Sequence, residues 1–192
     1  MAAHRHDDEL ADNHRRRLLA ALGLAPLAAA LPGEEAWAAA NFVEATTDGV
    51  WRRIRSNAIP DHPTGQFPNR RNPNSIAAQD LTFRVPLRPA RGARPFSIAR
   101  GYRFGVAVNG VPFDPFAAEW WNRDRASGWR YEAMSENVAL GLDAHNAHVQ
   151  PNGTYHYHGL PTGLIEALAA DRHSPLIGWA ADGFPIYALY GL

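Results

Sequence analysis

The side chains best suited to chemistry lie in one short stretch of the 192-residue chain. Four histidines fall between positions 145 and 158, namely His145, His148, His156 and His158. Neutral imidazoles bind Zn²⁺, Cu²⁺, Fe²⁺ and Mn²⁺, with metal–nitrogen distances of about 2.0 to 2.1 Å for zinc. The cluster therefore predicts a divalent metal site, for which Cu²⁺ or Zn²⁺ is the expected ion.

The residues between these histidines predict a hairpin that brings them together. A Pro-Asn-Gly sequence at 151–153 favours a tight turn whose glycine takes a positive φ. Side chains two residues apart in a strand point to the same face. His156 and His158 should therefore share one face, while the tyrosines before and between them occupy the other. His148, on the preceding strand, completes a set of three ligands.

Two carboxylates are candidate oxygen ligands for the same ion. Asp182 and Glu119 are both possible, and His173 is a weaker nitrogen candidate. Asp182 precedes a glycine, so forming a turn is the simpler role for it. No catalytic residue follows from these patterns.

Two other functions are compatible with the same residues. The alternating Tyr and His side chains could form a buried hydrogen-bond network in a cell-surface binding or structural module that has no catalytic activity. A metal-dependent hydrolase or oxidoreductase is a further alternative. Metal-free hydrolysis by Ser174 beside His173 is disfavoured, because the sequence has no Gly-x-Ser-x-Gly elbow.

Three ordered blocks of sequence resemble the bacterial YHYH-domain family, which is named for residues of the type found here at 155–158. The central block reads AHVQPNGTYHYHGLPTG at 147–163, and the others lie at 108–115 and 173–187. The resemblance implies an exported or cell-surface bacterial protein with one strand-rich domain and no well-established reaction. Similar proteins continue for several strands beyond the last block, so it also implies that this chain lacks C-terminal strands.

Composition excludes several classes of function. The chain has no cysteine, and its 19 basic residues are all arginine. Schiff-base chemistry, pyridoxal-phosphate anchoring, thiolate catalysis and disulfides are therefore impossible. A formal charge of zero argues against nucleic-acid binding. A metal ion or a small molecule is the expected partner.

The first forty residues have the organisation of an export signal. Three arginines at 15–17 precede an Ala/Leu-rich core from Leu18 to Leu31, and small residues at 36–40 offer a cleavage site. The adjacent arginines are typical of the twin-arginine type. We expect residues 1–40 to be a helical signal segment and the protein to be exported to the periplasm or the exterior. No later segment is long and apolar enough to span a membrane.

Residues 41–192 predict one mainly β domain, antiparallel and sandwich-like, with one or two short helices. Turn-forming residues separate short runs that alternate with period two. Strands are predicted at 81–87, 102–108, 129–134, 155–158, 176–180 and 186–189. A helix is predicted at 162–170, and a further helical turn at 113–121.

Overall fold

A computed structural model of the protein describes residues 40–94, 103–135, 137–167 and 173–189. These residues all belong to one compact unit. The predicted signal segment lies outside the described residues. Among the residues described, no helix has the length and apolar character needed to cross a membrane.

The described ranges contain eleven strands, one α-helix and two short 3₁₀ turns at 121–123 and 125–127. The strands and the helix are β1 (Val43–Thr47), β2 (Trp51–Ser56), β3 (Leu81–Pro86), β4 (Gly105–Ala107), β5 (Pro112–Phe113), β6 (Phe116–Trp120), β7 (Arg130–Glu132), β8 (Ala147–Val149), β9 (Tyr155–Tyr157), α1 (Thr162–Ala167), β10 (Leu176–Ala180) and β11 (Pro185–Tyr187).

The strands form three sheets. The largest has the order β11-β10-β4-β5-β9-β8, a second has the order β1-β2-β3, and β6 pairs with β7 in a two-stranded ribbon. All neighbours are antiparallel except β5 and β9, which run parallel where Phe113 faces Tyr157. The prediction of a mainly β, antiparallel domain with little helix is confirmed.

The main core is built on the six-stranded sheet. Its apolar members come from β4 to β10 and include Val111, Val149, Leu164 and Ile177, each at most 3% exposed. The buried rings of Tyr155 and Tyr157 belong to the same cluster. Burial of such side chains is the main favourable term in folding. Packing of this core therefore holds in place the strands that carry the histidines.

The predicted helical turn at 113–121 is wrong. The chain is extended there, and β6 pairs with β7 from Phe116 to Trp120. Pro115 disfavours helical dihedrals in the residue before it. Ala117 is buried between two exposed neighbours, which is the alternation of a strand with one covered face.

The predicted hairpin around residues 151–153 is present. β8 pairs with β9 so that His148 faces His156. Gly153 has a φ of 87°, a conformation that a residue with a side chain rarely adopts. Its amide donates to the Gln150 carbonyl at 2.8 Å, and the Gln150 amide donates to the Thr154 carbonyl at 3.0 Å. The turn therefore sets the register that aligns the two histidines.

Candidate metal centre

Three of the predicted ligands meet at one point. His148 lies in β8, His156 lies opposite it in β9, and His158 follows β9 on the same face as His156. Their ring centroids are 4.6 to 4.7 Å apart in all three pairs. The rings thus form a nearly equilateral triangle.

The Nε2 atoms are the groups that converge. The Nε2 of His158 lies 3.0 Å from that of His156 and 3.0 Å from that of His148. The ligand nitrogens of the three residues all lie within 4.8 Å of one another. If an ion lay about 2.0 to 2.1 Å from two nitrogens with this separation, the N–metal–N angle would be about 95°. Three such ligands occupy one face of a coordination sphere.

Backbone carbonyls fix the tautomers of two of the rings. The Nδ1 of His148 donates to the Leu140 carbonyl at 2.8 Å, and the Nδ1 of His156 lies 3.2 Å from the Thr154 carbonyl. A proton held on Nδ1 leaves the Nε2 lone pair free. Metal-binding histidines commonly use their second nitrogen in this way. The lone pairs of these two residues therefore point toward the shared centre.

His158 completes the centre differently. Its Nδ1 is buried and forms no hydrogen bond of normal geometry. With the Nδ1 protons held on His148 and His156, at most one hydrogen, on Nε2 of His158, can lie among the three converging nitrogens. The hydrogen-bonding capacity of the three imidazoles is therefore only partly used, whereas a cation would engage all three lone pairs.

Burial keeps His156 and His158 neutral. His156 is 2% exposed and His158 is 6% exposed. Loss of solvent, reinforced by the neighbouring His158 and His148, lowers the pKa of His156 to about 3. Loss of solvent and the nearby His148 lower the pKa of His158 to about 4. Neutral imidazole is the form that binds a metal.

The three histidines open onto a surface cleft of about 490 Å³. Polar side chains from three segments line it, including Asn72, Asn74, Glu119 and Gln150. Asn72 is 4% exposed and donates to the Val149 carbonyl at 2.9 Å, which anchors the 69–74 loop beside β8. A small molecule in this cleft would reach the open side of the centre.

The other predicted ligands are placed differently. Glu119 lines the same cleft, but the cluster of potential ligand atoms in the described chain comprises only the three histidines. Asp182 lies in the turn between β10 and β11, where its carboxylate accepts from the Phe184 amide at 3.3 Å. The sheet order places β4 and β5 between that turn and β9. His173 donates through Nδ1 to the neighbouring Ser174 carbonyl at 2.8 Å.

Comparison with known proteins gives one match. The sequence model of the YHYH protein family matches residues 82–192, which is more than half of the chain. The chain belongs to the YHYH protein family. No curated protein and no solved structure matches it.

The matched region of this YHYH domain runs from β3 to β11 and contains the complete histidine triad. It confirms the family resemblance inferred from the three sequence blocks. β1 and β2 precede the matched region.

The tyrosines of the YHYH motif lie on the opposite face of β9. The Tyr155 hydroxyl donates to Asp143 at 2.7 Å. The Tyr157 hydroxyl lies 2.7 Å from Nε2 of His62 and accepts from the Asn109 amide at 3.0 Å. Burial raises the pKa of both tyrosines above their usual range. Both phenols therefore stay protonated and act as structural hydrogen-bond partners.

Sequence reasoning missed two polar groups of this YHYH protein, His62 and Asp114. His62 is more than 90 residues from the tyrosine it contacts, and no spacing rule connects them. Asp114 accepts from the Gln150 side chain at 3.2 Å. Burial raises the pKa of Asp114, while the Phe116 amide, Arg103, Gln150 and His148 oppose the rise. Its position in the sequence block at 108–115 was the available signal.

Proposed function

We propose that this YHYH protein binds one divalent metal ion through His148, His156 and His158. The observation that supports the proposal is the convergence of three Nε2 atoms while two Nδ1 atoms are engaged by backbone carbonyls. Hydrogen bonding that commits the outer nitrogen and frees the inner one is the usual environment of a metal-binding histidine.

Cu²⁺ and Zn²⁺ are the ions we expect at this centre. Imidazole suits both, and Cu²⁺ binds tightest among the divalent first-row metals. Three protein ligands leave at least one coordination position for water or a small molecule. A bound ion could supply Lewis-acid or hydrolytic chemistry there. We therefore extend the proposal to a metal-binding or metal-dependent protein whose cleft admits a small ligand.

Export is the second part of the proposal. Residues 1–40 carry the features of a twin-arginine signal, which would place the domain in the periplasm or the exterior. Mass spectrometry of protein recovered from that compartment should show a chain that begins after Ala38 or Ala40. An intact N-terminus on the exported protein would contradict this part.

Metal content tests the central claim. Protein purified from its native compartment should carry close to one equivalent of metal by elemental analysis. The double variant His156→Gln/His158→Gln should carry none. His145→Gln is the matched control, because His145 Nδ1 contacts the Thr162 hydroxyl at 2.9 Å and takes no part in the triad. Equal metal content in the double variant and the parent protein would refute the proposal.

A purely structural module is the second candidate, and the tyrosine contacts favour it. Tyr155 and Tyr157 fasten Asp143, His62 and Asn109 to the sheet through hydrogen bonds of their hydroxyl groups. The histidine double variant separates the two ideas, and Tyr157→Phe is its control, because it alters only the face away from the triad. The metal proposal expects Tyr157→Phe to lose stability and keep its metal. The structural candidate expects the histidine double variant to lose stability with no dependence on metal.

A further inference from the structure

His148 is the least buried ligand of the triad. His156 and His158 are buried, whereas His148 is only partly covered. His148 belongs to β8, and within the described ranges no strand pairs with the outer edge of β8. Edge strands are the least protected strands of a sheet. The position of this ligand therefore depends on contacts that come from outside the sheet.

A loop at 69–74, the asparagine loop, covers this edge. Its sequence is Asn-Arg-Arg-Asn-Pro-Asn. The backbone amide of Gln150 bonds to the β9 arm of the hairpin, so the carbonyl of Val149, one residue earlier, faces the outer edge. That carbonyl accepts from the side chain of Asn72 at 2.9 Å and from that of Asn74 at 2.8 Å. Two side-chain amides thus take the place of a neighbouring strand.

The same loop holds the group that accepts the His148 proton. The side chain of Asn69 donates to the Gly141 carbonyl at 3.0 Å, and its oxygen accepts from the backbone amide of Asn72 at 2.9 Å. The residue before Gly141 is Leu140, whose carbonyl accepts from Nδ1 of His148 at 2.8 Å. Strand β8 and the proton acceptor are therefore both fastened to the asparagine loop.

Asn72 also contacts the ligand itself. Its side-chain nitrogen lies 3.2 Å from Nδ1 of His148, and the residue is 4% exposed. Because the Nδ1 proton points to the Leu140 carbonyl, this contact is close packing of an amide against the edge of the ring. Packing of this kind limits rotation of the imidazole. One buried side chain thus restrains both the backbone of β8 and the ring of His148.

We propose that Asn72 is a positioning residue for His148, through which the asparagine loop sets the metal affinity of the triad. The inference rests on the proposed function, because it concerns the affinity of that centre. Replacing a group that orients a metal-binding histidine typically changes metal affinity or activity by about 10- to 100-fold. The asparagine loop precedes residues 82–192, which the family model matches, so this role follows from the tertiary contacts alone.

Titration of the chelator-treated protein with Zn²⁺ for affinity, and with Co²⁺ for its visible absorption bands, tests the inference. Asn72→Ala should weaken Zn²⁺ binding about tenfold and alter the Co²⁺ bands, which respond to ligand geometry. Asn72→Asp keeps the size of the side chain but places an oxygen beside His148, so it should alter the bands too, and it decides by the same criteria if Asn72→Ala does not fold.

Gln79→Ala is the matched control for the Asn72 variants. The side-chain amide of Gln79 also donates to a hairpin carbonyl, that of Asn152 at 3.1 Å, but it does so at the turn rather than beside His148. Loss of this hydrogen bond should lower the stability of the domain by about 1 kcal/mol. The Zn²⁺ affinity and the Co²⁺ bands should stay those of the parent protein.

Affinity and spectrum together decide the outcome. Weaker Zn²⁺ binding and altered Co²⁺ bands in Asn72→Ala, with Gln79→Ala unchanged, support the inference. An Asn72→Ala protein with the parent's affinity and bands overturns it and leaves the proposed metal site intact. Equal weakening in Asn72→Ala and Gln79→Ala with parent-like bands also overturns it, since the loop would then act through stability alone. A parent protein that binds neither ion refutes the proposed function and this inference with it.

Discussion

The carbonyl groups of Leu140 and Thr154 determine the state of the triad at the scale of single residues. They hold Nδ1 protons on His148 and His156 and so leave the Nε2 lone pairs inside the centre. Burial acts in the same direction, because it disfavours the charged imidazolium of His156 and His158. The metal-free domain therefore holds its imidazole nitrogens neutral and close together. Acid favours the protonated form of histidine, so it should lower the stability of the folded domain.

Acid should destabilise the metal-free domain. The pKa values of His156 and His158 are lowered from 6.5 to about 3 and about 4. As the pH falls below 6.5, these groups take up protons in the unfolded chain but remain neutral in the folded one. Stability is therefore fully present above pH 6.5 and declines as pH falls toward 4, with a limiting slope of about 1.4 kcal/mol per pH unit for each histidine.

Urea denaturation in the presence of a chelator, at about pH 7 and about pH 5, measures this slope. The variant His156→Gln/His158→Gln should show a flatter dependence, because it lacks both titrating groups. A parent protein and variant with the same pH dependence would show that the two imidazoles do not govern acid stability.

At the scale of elements, strand β9 divides its two faces between two tasks. The histidine face points to the cleft, while the tyrosine face holds His62 and Asn109. Gly163 of helix α1 lies against the imidazole rings of His62 and His145. A Cβ at that position would lie 2.6 Å from Nδ1 of His62 and 2.9 Å from Nδ1 of His145. The absence of a side chain is therefore required there.

Gly163→Ala should destabilise the domain, although the same change inside a helix normally stabilises it by up to about 1 kcal/mol. Overpacking typically costs about 1–3 kcal/mol, so even after the full helical gain the net loss should reach about 2 kcal/mol in chemical denaturation. Gly92→Ala is the matched control, because a Cβ there meets only the Arg94 carbonyl at 3.4 Å. A Gly163→Ala protein as stable as the parent would mean that α1 shifts freely.

At the scale of the whole molecule, a bound ion would clamp β8 and β9 together at one edge of the six-stranded sheet. β8 is the last strand in the sheet order, so within the described ranges no strand pairs with its outer edge. An edge strand has fewer partners than a central one. A ligand that binds the folded form alone therefore adds stability where the sheet has least support.

Metal should raise the stability of the whole domain. Free metal at about one hundred times its dissociation constant should add about 2.7 kcal/mol. For a domain of this size, that corresponds to a rise in Tm of roughly 5 to 10 °C. Differential scanning calorimetry with and without ZnSO₄ or CuSO₄ checks the expectation, and excess EDTA should reverse it. No shift in the parent protein, or an equal shift in His156→Gln/His158→Gln, would contradict it.

Short-range patterns in the sequence predicted the local parts of this protein. The Pro-Asn-Gly turn, the His148–His156 register and the two faces of β9 all follow from rules that act within a dozen residues. The same reasoning identified the family from the blocks around the YHYH motif.

Only the tertiary structure decided which distant groups complete the site. It placed Glu119 in the cleft and Asp182 in a remote turn, although both are isolated carboxylates in the sequence. It paired His62 with Tyr157 and joined β5 to β9 in parallel. Side-chain periodicity encodes which face of a strand is buried, but the choice of neighbouring strand depends on how the whole chain covers its apolar surface.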